Sequence, residues 1–307
     1  MTLFKHLLFP LVRANAHLSP EFLSAVELVV ELTHDLGAKI SFIAFEDHIP
    51  DIAAPWLVSQ HQLVEIRTKD CQKVLKACVD VAQKKGVEAD SDLVWGGGVA
   101  QIVTEAHQRR NDLVIKIAEH WKFLNIHRLS GDDMSLLRQS GVPVWLIPPA
   151  PLPSKKIKTL LVALDVAYGN RQLNLSMLAI AQNLSLLMNA KLHVVHSWLL
   201  AGEDYIKGSI AHIPEHSTAE AEKKVFLEHQ KRLTQLLDEA QITSSTKQHL
   251  IRGKASEVIC TLAKEMSVDL LIMGTHARQG FDRLMLGNTA ENVAGSLDCS
   301  LIVVRPS

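Results

Sequence analysis

The chain carries the same pattern twice, and this repeat constrains its fold more than any other feature. Four segments of the first half return in the same order in the second half: Lys5–Phe9 as Lys158–Val162, Gly37–Ile40 as Asn189–Leu192, Asp112–Ile115 as Asp269–Ile272, and Val142–Ile147 as Cys299–Val304. Because the spacing between copies drifts only slightly, the repeat is a duplication of about half the chain. Residues shared by both copies are therefore expected to serve the fold, and residues present in only one copy are candidates for ligand binding.

Composition excludes several classes of protein. The 307 residues are 47% hydrophobic and 21% charged, with a formal net charge of −1, so a dedicated nucleic-acid surface is not expected. The opening residues are too short an apolar run to predict a signal peptide, and no apolar run approaches the roughly 20 residues of a spanning helix. Cys71 and Cys78 are seven apart in a helical pattern and are most simply small buried side chains. We therefore expect a reduced, cytoplasmic protein with no membrane span.

Short apolar runs alternate with amphipathic stretches in both halves. The predicted strands are 7–11, 39–45, 89–95, 113–117 and 144–147, then 159–164, 191–197, 247–251, 269–273 and 300–304. They are continuously apolar rather than alternating, which is typical of parallel sheets covered on both faces. The sequence therefore predicts an α/β fold of two tandem doubly wound, Rossmann-like domains, each with a mostly parallel five-stranded sheet.

Four prolines lie between positions 148 and 153, and they favour an extended, stiff linker. We therefore assign residues 1–148 to a first domain, 149–155 to the linker and 156–307 to a second domain. In the second domain, Ser217–Glu220 has the pattern of a capping box, which predicts a helix over 221–239.

The segment after the fourth strand of the second domain has the layout of a phosphate-binding loop. Gly274 would let the chain turn sharply off the strand, and Gly287, Asn288 and Thr289 would begin the next helix, where free N–H groups favour an anion. Asn288 or Thr289 could instead cap the helix, and a structural turn explains the pattern equally well. A Walker A sequence and a strand-linked GxGxxG are absent.

This segment resembles the nucleotide loop of the universal stress protein family: Gly, two residues, Gly, nine residues, then Gly followed by Ser or Thr. Gly274, Ala277, Gly287 and Asn288 occupy the four motif positions, so the second and fourth depart from the pattern. The resemblance covers essentially the whole chain. It is strongest to the tandem, E-type members from bacteria, which have adenine nucleotide alpha hydrolase-like domains related by a pseudo-twofold axis.

The resemblance implies a ligand site in the second domain, for ATP or a related adenine nucleotide, with Mg²⁺ only where a nucleotide binds. Asp165 would meet the adenosine end, although a strand-end turn is the alternative role for this residue. The implied site comprises Asp165, Ser197, Met273, Gly274, His276, Ala277, Gly287, Asn288, Thr289 and Ala290. His276 is the one candidate for slow hydrolysis, and no residue is assigned as catalytic.

The first copy lacks the corresponding residues. Val12 replaces Asp165, Ile117–His120 replaces Gly274–Ala277, and Ser130–Asp132 replaces Gly287–Thr289. A β-branched Ile resists a glycine conformation, and Glu119, Asp132 and Asp133 would repel a polyphosphate. We therefore predict that the first domain binds no nucleotide and instead pairs with the second domain.

Function stays open among three hypotheses: a stress-response sensor that binds ATP or another phosphate-bearing ligand, a weak ATP hydrolase, and a structural or interaction protein that binds no nucleotide. The resemblance favours the sensor and implies resistance to DNA-damaging and other stresses. The resemblance also implies a homodimer as an alternative to pairing within the chain. A metal site of His212, His216 and His229 is disfavoured, because Pro214 interrupts the spacing and no Cys or carboxylate completes the set.

Overall fold

The computed structural model describes residues 4–12, 18–49, 59–123, 126–149, 157–167, 171–200, 215–242, 245–275, 287–296 and 299–306. The chain divides into two compact units. The first comprises residues 1–121 and 129–154, and the second comprises 122–128 and 155–307. Apart from Pro149, the predicted linker lies outside the described residues.

The first half of the chain forms seven strands and four helices within the described residues. The strands are β1 (His6–Val12), β2 (Lys39–Glu46), β3 (Ala89–Trp95), β4 (Leu113–Ile117), β5 (His120–Phe123), β6 (Ile126–Leu129) and β7 (Val144–Ile147). The helices are α1 (Pro20–Leu36), α2 (Gln60–Lys84), α3 (Val99–Gln108) and α4 (Gly131–Gln139).

The second half repeats this succession in the part of it that the structure describes. Its strands are β8 (Thr159–Ala163), β9 (Lys191–Trp198), β10 (Lys247–Arg252), β11 (Leu270–Gly274) and β12 (Ser300–Val304). Its helices are α5 (Arg171–Met188), α6 (Glu215–Glu239), α7 (Ala255–Glu265) and α8 (Asn288–Ala294).

Each unit contains a five-stranded sheet with the same strand order. The first sheet runs β7-β4-β1-β2-β3 and the second β12-β11-β8-β9-β10. Every neighbouring pair within these sheets is parallel. In each sheet the order reverses beside the first strand, between β1 and β4 or between β8 and β11. The structure therefore confirms two tandem doubly wound α/β folds.

Burial explains why these sequences form parallel sheets. Every residue of β7 and β12 is buried, so both faces of these strands are covered, as expected where helices flank a parallel sheet. The edge strand β3 instead exposes Asp90 and Asp92, and Arg109 reaches the Asp92 carboxylate at 2.6 Å. Charged side chains on an edge strand oppose pairing with another chain.

Local signals set several helix ends. Ser19 caps α1 by accepting a hydrogen bond from the Phe22 N–H at 3.2 Å, and Gly37 ends the same helix in a left-handed conformation with φ 62°. The prediction for α6 was wrong at its start, because this helix begins at Glu215. The presumed capping box at Ser217–Glu220 therefore lies inside the helix.

In both units, an aspartate carboxylate accepts hydrogen bonds from two backbone N–H groups at the start of the first strand. The Asp112 carboxylate accepts from the N–H groups of Lys5 and His6 at 2.8 and 3.1 Å. Asp269 accepts from Lys158 and Thr159 at 2.8 and 2.9 Å. The duplication is therefore visible at the level of individual side chains.

Candidate functional site

The first sequence-predicted site residues lie at the carboxyl edge of the second sheet. Asp165 follows β8, and Gly274 ends β11 beside it, with Met273 paired to Ala163 in the parallel register. Ser197 lies near the end of β9, on the other side of β8. The reversal of strand order between β8 and β11 makes this edge the place where doubly wound sheets bind ligands.

Asp165 adopts a fixed turn. Its Oδ1 accepts a hydrogen bond from the Ala167 N–H at 3.0 Å, which is an Asx-turn, and its backbone carbonyl accepts from Asn174 Nδ2 at 2.8 Å. Asn174 is buried on α5, so the helix holds the loop in place. The alternative turn role of Asp165 is therefore observed, and it keeps the carboxylate at the end of β8.

A pair of histidines lies beside this loop, and sequence reasoning did not connect them. His196 of β9 places Nδ1 2.9 Å from the Leu164 carbonyl oxygen and Nε2 2.7 Å from Nδ1 of His229 on α6. A carbonyl oxygen can only accept, so the His196 Nδ1–H donates to it. In a neutral ring Nε2 then accepts, which makes His229 the donor between the two rings.

Burial lowers the pKa of both imidazoles in this pair. Desolvation is the largest cause for each, and Arg232 lowers the pKa of His229 further. The Arg232 guanidinium also reaches the Ala167 carbonyl oxygen at 3.4 Å. Helix α6 therefore contacts the β8–α5 loop through Arg232 and the end of β9 through His229.

Gly274 is required for a different reason from the one expected. It pairs with Val304 inside the sheet, and a Cβ at this position would lie 2.7 Å from Leu173 Cδ2 and 3.2 Å from Met177 Sδ. Contacts below 3.0 Å are essentially never made by real Cβ atoms. The glycine therefore allows α5 to approach the end of β11 closely.

Gly287 caps α8, and Asn288 is the first residue of this helix, as the sequence indicated. Gly287 has φ 83° and ψ 138°, a conformation in which a β-branched side chain is strained. The alternative role of Asn288 or Thr289 as the helix cap is not observed, because Gly287 is the N-cap and no side chain hydrogen-bonds there. Asn288 is exposed, Thr289 is half-buried and Ala290 is buried.

The structure thus brings Asp165, Ser197, Met273 and Gly274 to one edge through adjacent strands. His276 and Ala277 lie outside the described residues, as does His212. Met273 is buried and Ser197 is half-buried. The pairing of His196 with His229 could not be read from spacing, because the two residues are 33 positions apart on different elements.

The first unit differs from the expectation in one respect. Asp133 was predicted to repel a polyphosphate, but its carboxylate is paired with the Lys116 ammonium at 2.7 Å. Both side chains are buried, so this charge is neutralised inside the unit rather than presented to a ligand.

Neither a metal cluster nor a membrane-spanning helix is evident in the described part of the chain. There, no three His, Cys, Asp or Glu residues are grouped so as to hold a metal ion. Among these residues, no helix is both long and apolar enough to cross a bilayer.

Comparison with known proteins agrees with this architecture. Residues 156–305 match the model of the universal stress protein family. The chain is 27% identical over 295 residues to a universal stress protein E homolog from Haemophilus influenzae, covering 92% of each chain. It is also 27% identical over 225 residues to universal stress protein E of Escherichia coli K12, covering 72% of this chain and 69% of the relative.

Two solved structures share the fold over nearly the full length. A universal stress protein from Archaeoglobus fulgidus superposes with a TM-score of 0.69 at 16% identity, covering 98% of both chains. A functionally unknown protein from Pseudomonas aeruginosa PAO1 has a TM-score of 0.69 at 19% identity, covering 99% of this chain and 93% of its own. Residues 156–305 therefore belong to the universal stress protein family, and the chain as a whole is similar to universal stress protein E relatives and shares the fold of full-length neighbours.

Proposed function

We propose that the second unit binds ATP or another phosphate-bearing ligand, and that the protein acts as a cytoplasmic sensor in resistance to DNA-damaging and other stresses. The observation that carries this proposal is the position of Asp165, which follows β8, and of Gly274, which ends the neighbouring strand β11, at the point where the strand order reverses. Membership of a stress-protein family supports the biological role.

Asp165 would supply the polar recognition at one end of the ligand. Its Oδ1 accepts from the Ala167 N–H, and this hydrogen bond fixes the carboxylate at the end of β8. Ribose hydroxyls and amino groups are donors that suit a carboxylate. Gly287, Asn288, Thr289 and Ala290, together with His276 and Ala277, would contribute the phosphate end.

Binding rather than turnover is the activity proposed. The two imidazoles beside the Asp165 loop are already engaged: His196 bonds to Leu164 and His229 bonds to His196. His276 is the residue to test for slow hydrolysis. A ligand at Asp165 would act on the β8–α5 loop, which α6 contacts through Arg232, and so alter the surface that α6 presents.

Isothermal titration calorimetry with ATP, with and without Mg²⁺, tests the proposal. Asp165→Asn keeps an acceptor for the Ala167 N–H but removes the charge, so it should weaken ATP binding about ten- to hundredfold. Gly287→Val places a β-branched residue at φ 83° and should abolish binding. Gly131→Val is the control, because its site at the start of α4 has open space.

The outcomes separate the three hypotheses. Binding that is lost in Gly287→Val and kept in Gly131→Val supports the sensor. Phosphate release that falls in His276→Ala would identify a weak hydrolase instead. If the wild-type chain gives no heat of binding, nucleotide binding is contradicted and the hypothesis of an interaction protein remains.

A further inference from the structure

A buried charged cluster lies at the carboxyl end of β4 in the first unit. The Lys116 ammonium is 2.7 Å from Asp133 Oδ1 and 2.8 Å from Glu119 Oε1. Asp133 Oδ2 accepts from the Glu119 backbone N–H at 2.6 Å. The Asp133 side chain is 0% exposed and that of Lys116 is 4% exposed, so this is an internal site rather than a surface ion pair.

The duplication shows what this cluster replaces. Ile117 ends β4 as Gly274 ends β11, and Ser130 caps α4 as Gly287 caps α8. Counting from these ends, Lys116 corresponds to Met273 and Asp133 corresponds to Ala290. Both residues of the second unit are buried and apolar. The first unit therefore carries a buried cation and a buried anion where the second unit carries neither.

We propose that Asp133 is a built-in ligand: its carboxylate occupies the anion site of the first unit and excludes a phosphate-bearing molecule from it. The site is thus a binding site for one carboxylate, already filled by the chain itself. This role belongs to the first unit and goes beyond the function proposed for the second unit.

The contacts are those of a bound anion. The carboxylate receives one backbone N–H and one ammonium, which are the donors that phosphate and carboxylate ligands take from proteins. The Asp133 N–H in turn donates to Ser130 Oγ at 3.0 Å, which fixes the first turn of α4. Burial alone lowers the pKa of Lys116, but the Asp133 and Glu119 carboxylates outweigh it, so the pKa is raised and the amine stays charged.

Removal of the carboxylate should therefore create a site for a small external anion. Asp133→Ala deletes a carboxyl group, and formate has the same three heavy atoms. Breaking a buried ion pair on one side should lower the folding equilibrium constant of the first unit by a factor on the order of 10² to 10⁴. Formate should reverse part of this loss, because it returns a carboxylate to Lys116 and the Glu119 N–H.

The test is thermal unfolding of the full-length chain in formate and in chloride at equal ionic strength. We expect Asp133→Ala to unfold at a lower temperature than the wild type and to be stabilised saturably by formate. Asp132→Ala is the matched control, since Asp132 has the same charge on the same turn but is exposed. It should show neither effect. Equal behaviour of the two variants would overturn the proposal.

A second variant keeps the proposal testable if Asp133→Ala does not fold. Lys116→Met with Asp133→Ala transfers the second unit's residues to the first and removes both buried charges. We expect this double variant to be more stable than Asp133→Ala and indifferent to formate, because the ammonium is gone. A double variant as unstable as Asp133→Ala, or one that formate stabilises, would contradict a carboxylate ligand of Lys116.

Discussion

Replacement of Gly274 by alanine tests how the end of β11 is built. The added Cβ would lie 2.7 Å from Leu173 Cδ2, 3.1 Å from Leu173 Cγ and 3.2 Å from Met177 Sδ. Leu173 and Met177 are both buried, so their side chains cannot simply swing into solvent. Overpacking of this kind costs about 1–3 kcal/mol, and Gly274→Ala should destabilise the second unit by this amount.

The cost should depend on Leu173. Leu173→Ala alone should destabilise by about 2–5 kcal/mol, because it leaves a cavity. In that background most of the clash partner is gone, so the added methyl should cost little. A double-mutant cycle of Gly274→Ala and Leu173→Ala should therefore show a coupling free energy of about 1–3 kcal/mol between the two positions.

Hydrogen–deuterium exchange on peptides from β8 and β11 measures this effect in the second unit specifically. Gly131→Ala, in open space at the start of α4, is the control and should leave these peptides unchanged. A cost for Gly274→Ala that persists undiminished in Leu173→Ala would refute close approach of α5. The glycine would then be needed for the turn that the sequence indicated.

Two further outcomes follow from buried titratable groups. Because the pKa values of His196 and His229 are lowered from 6.5 in the folded chain, the unfolded chain binds protons that the folded pair excludes as the pH falls. The contribution of the pair to the free energy of unfolding should therefore be fully present above pH 6.5 and decrease as the pH drops below it. Urea unfolding between pH 7.5 and 5.5 should show this loss, and His229→Asn should reduce its steepness; an unchanged slope would exclude the pair as its source. Burial raises the pKa of Cys71 to about 11 and that of Cys78 to about 12, so at pH 8 both thiols should resist iodoacetamide in the folded chain and react only on unfolding. Rapid labelling of Cys78 without unfolding would contradict its burial.

The strands of the two sheets were predicted closely because strands buried on both faces consist of continuously apolar residues, a pattern that is visible in the sequence. Strands β3, β4, β7 and β12 have the predicted bounds, β1 and β11 differ by one residue at each end, and the other four strands of the two sheets differ by one residue at one end. Hairpin strands β5 and β6 and the short helix α4 were not predicted. Helix α4 spans Gly131–Gln139 and begins with polar residues, so it lacks a long apolar stripe.

The candidate site was less accessible to sequence reasoning, because its contacts join distant parts of the chain. The pattern of the loop identified its glycines, but the close approach of Leu173 on α5, which a Cβ at Gly274 would meet, is not visible in the sequence. The sequence disfavoured His229 as a metal ligand but did not indicate its partner, which is His196. Asp133 carried the expected charge, and only tertiary structure shows that Lys116 neutralises it.

The proposals for the two units together mean that the second unit of the duplicated chain binds the ligand and the first does not. The stoichiometry of ATP binding, measured by calorimetry on the full-length wild-type chain, tests it most directly. We predict one ATP per chain, because Asp165 and Gly287 lie in the second unit while Asp133 fills the first. Two equivalents per chain, or one that survives Gly287→Val, would contradict the assignment.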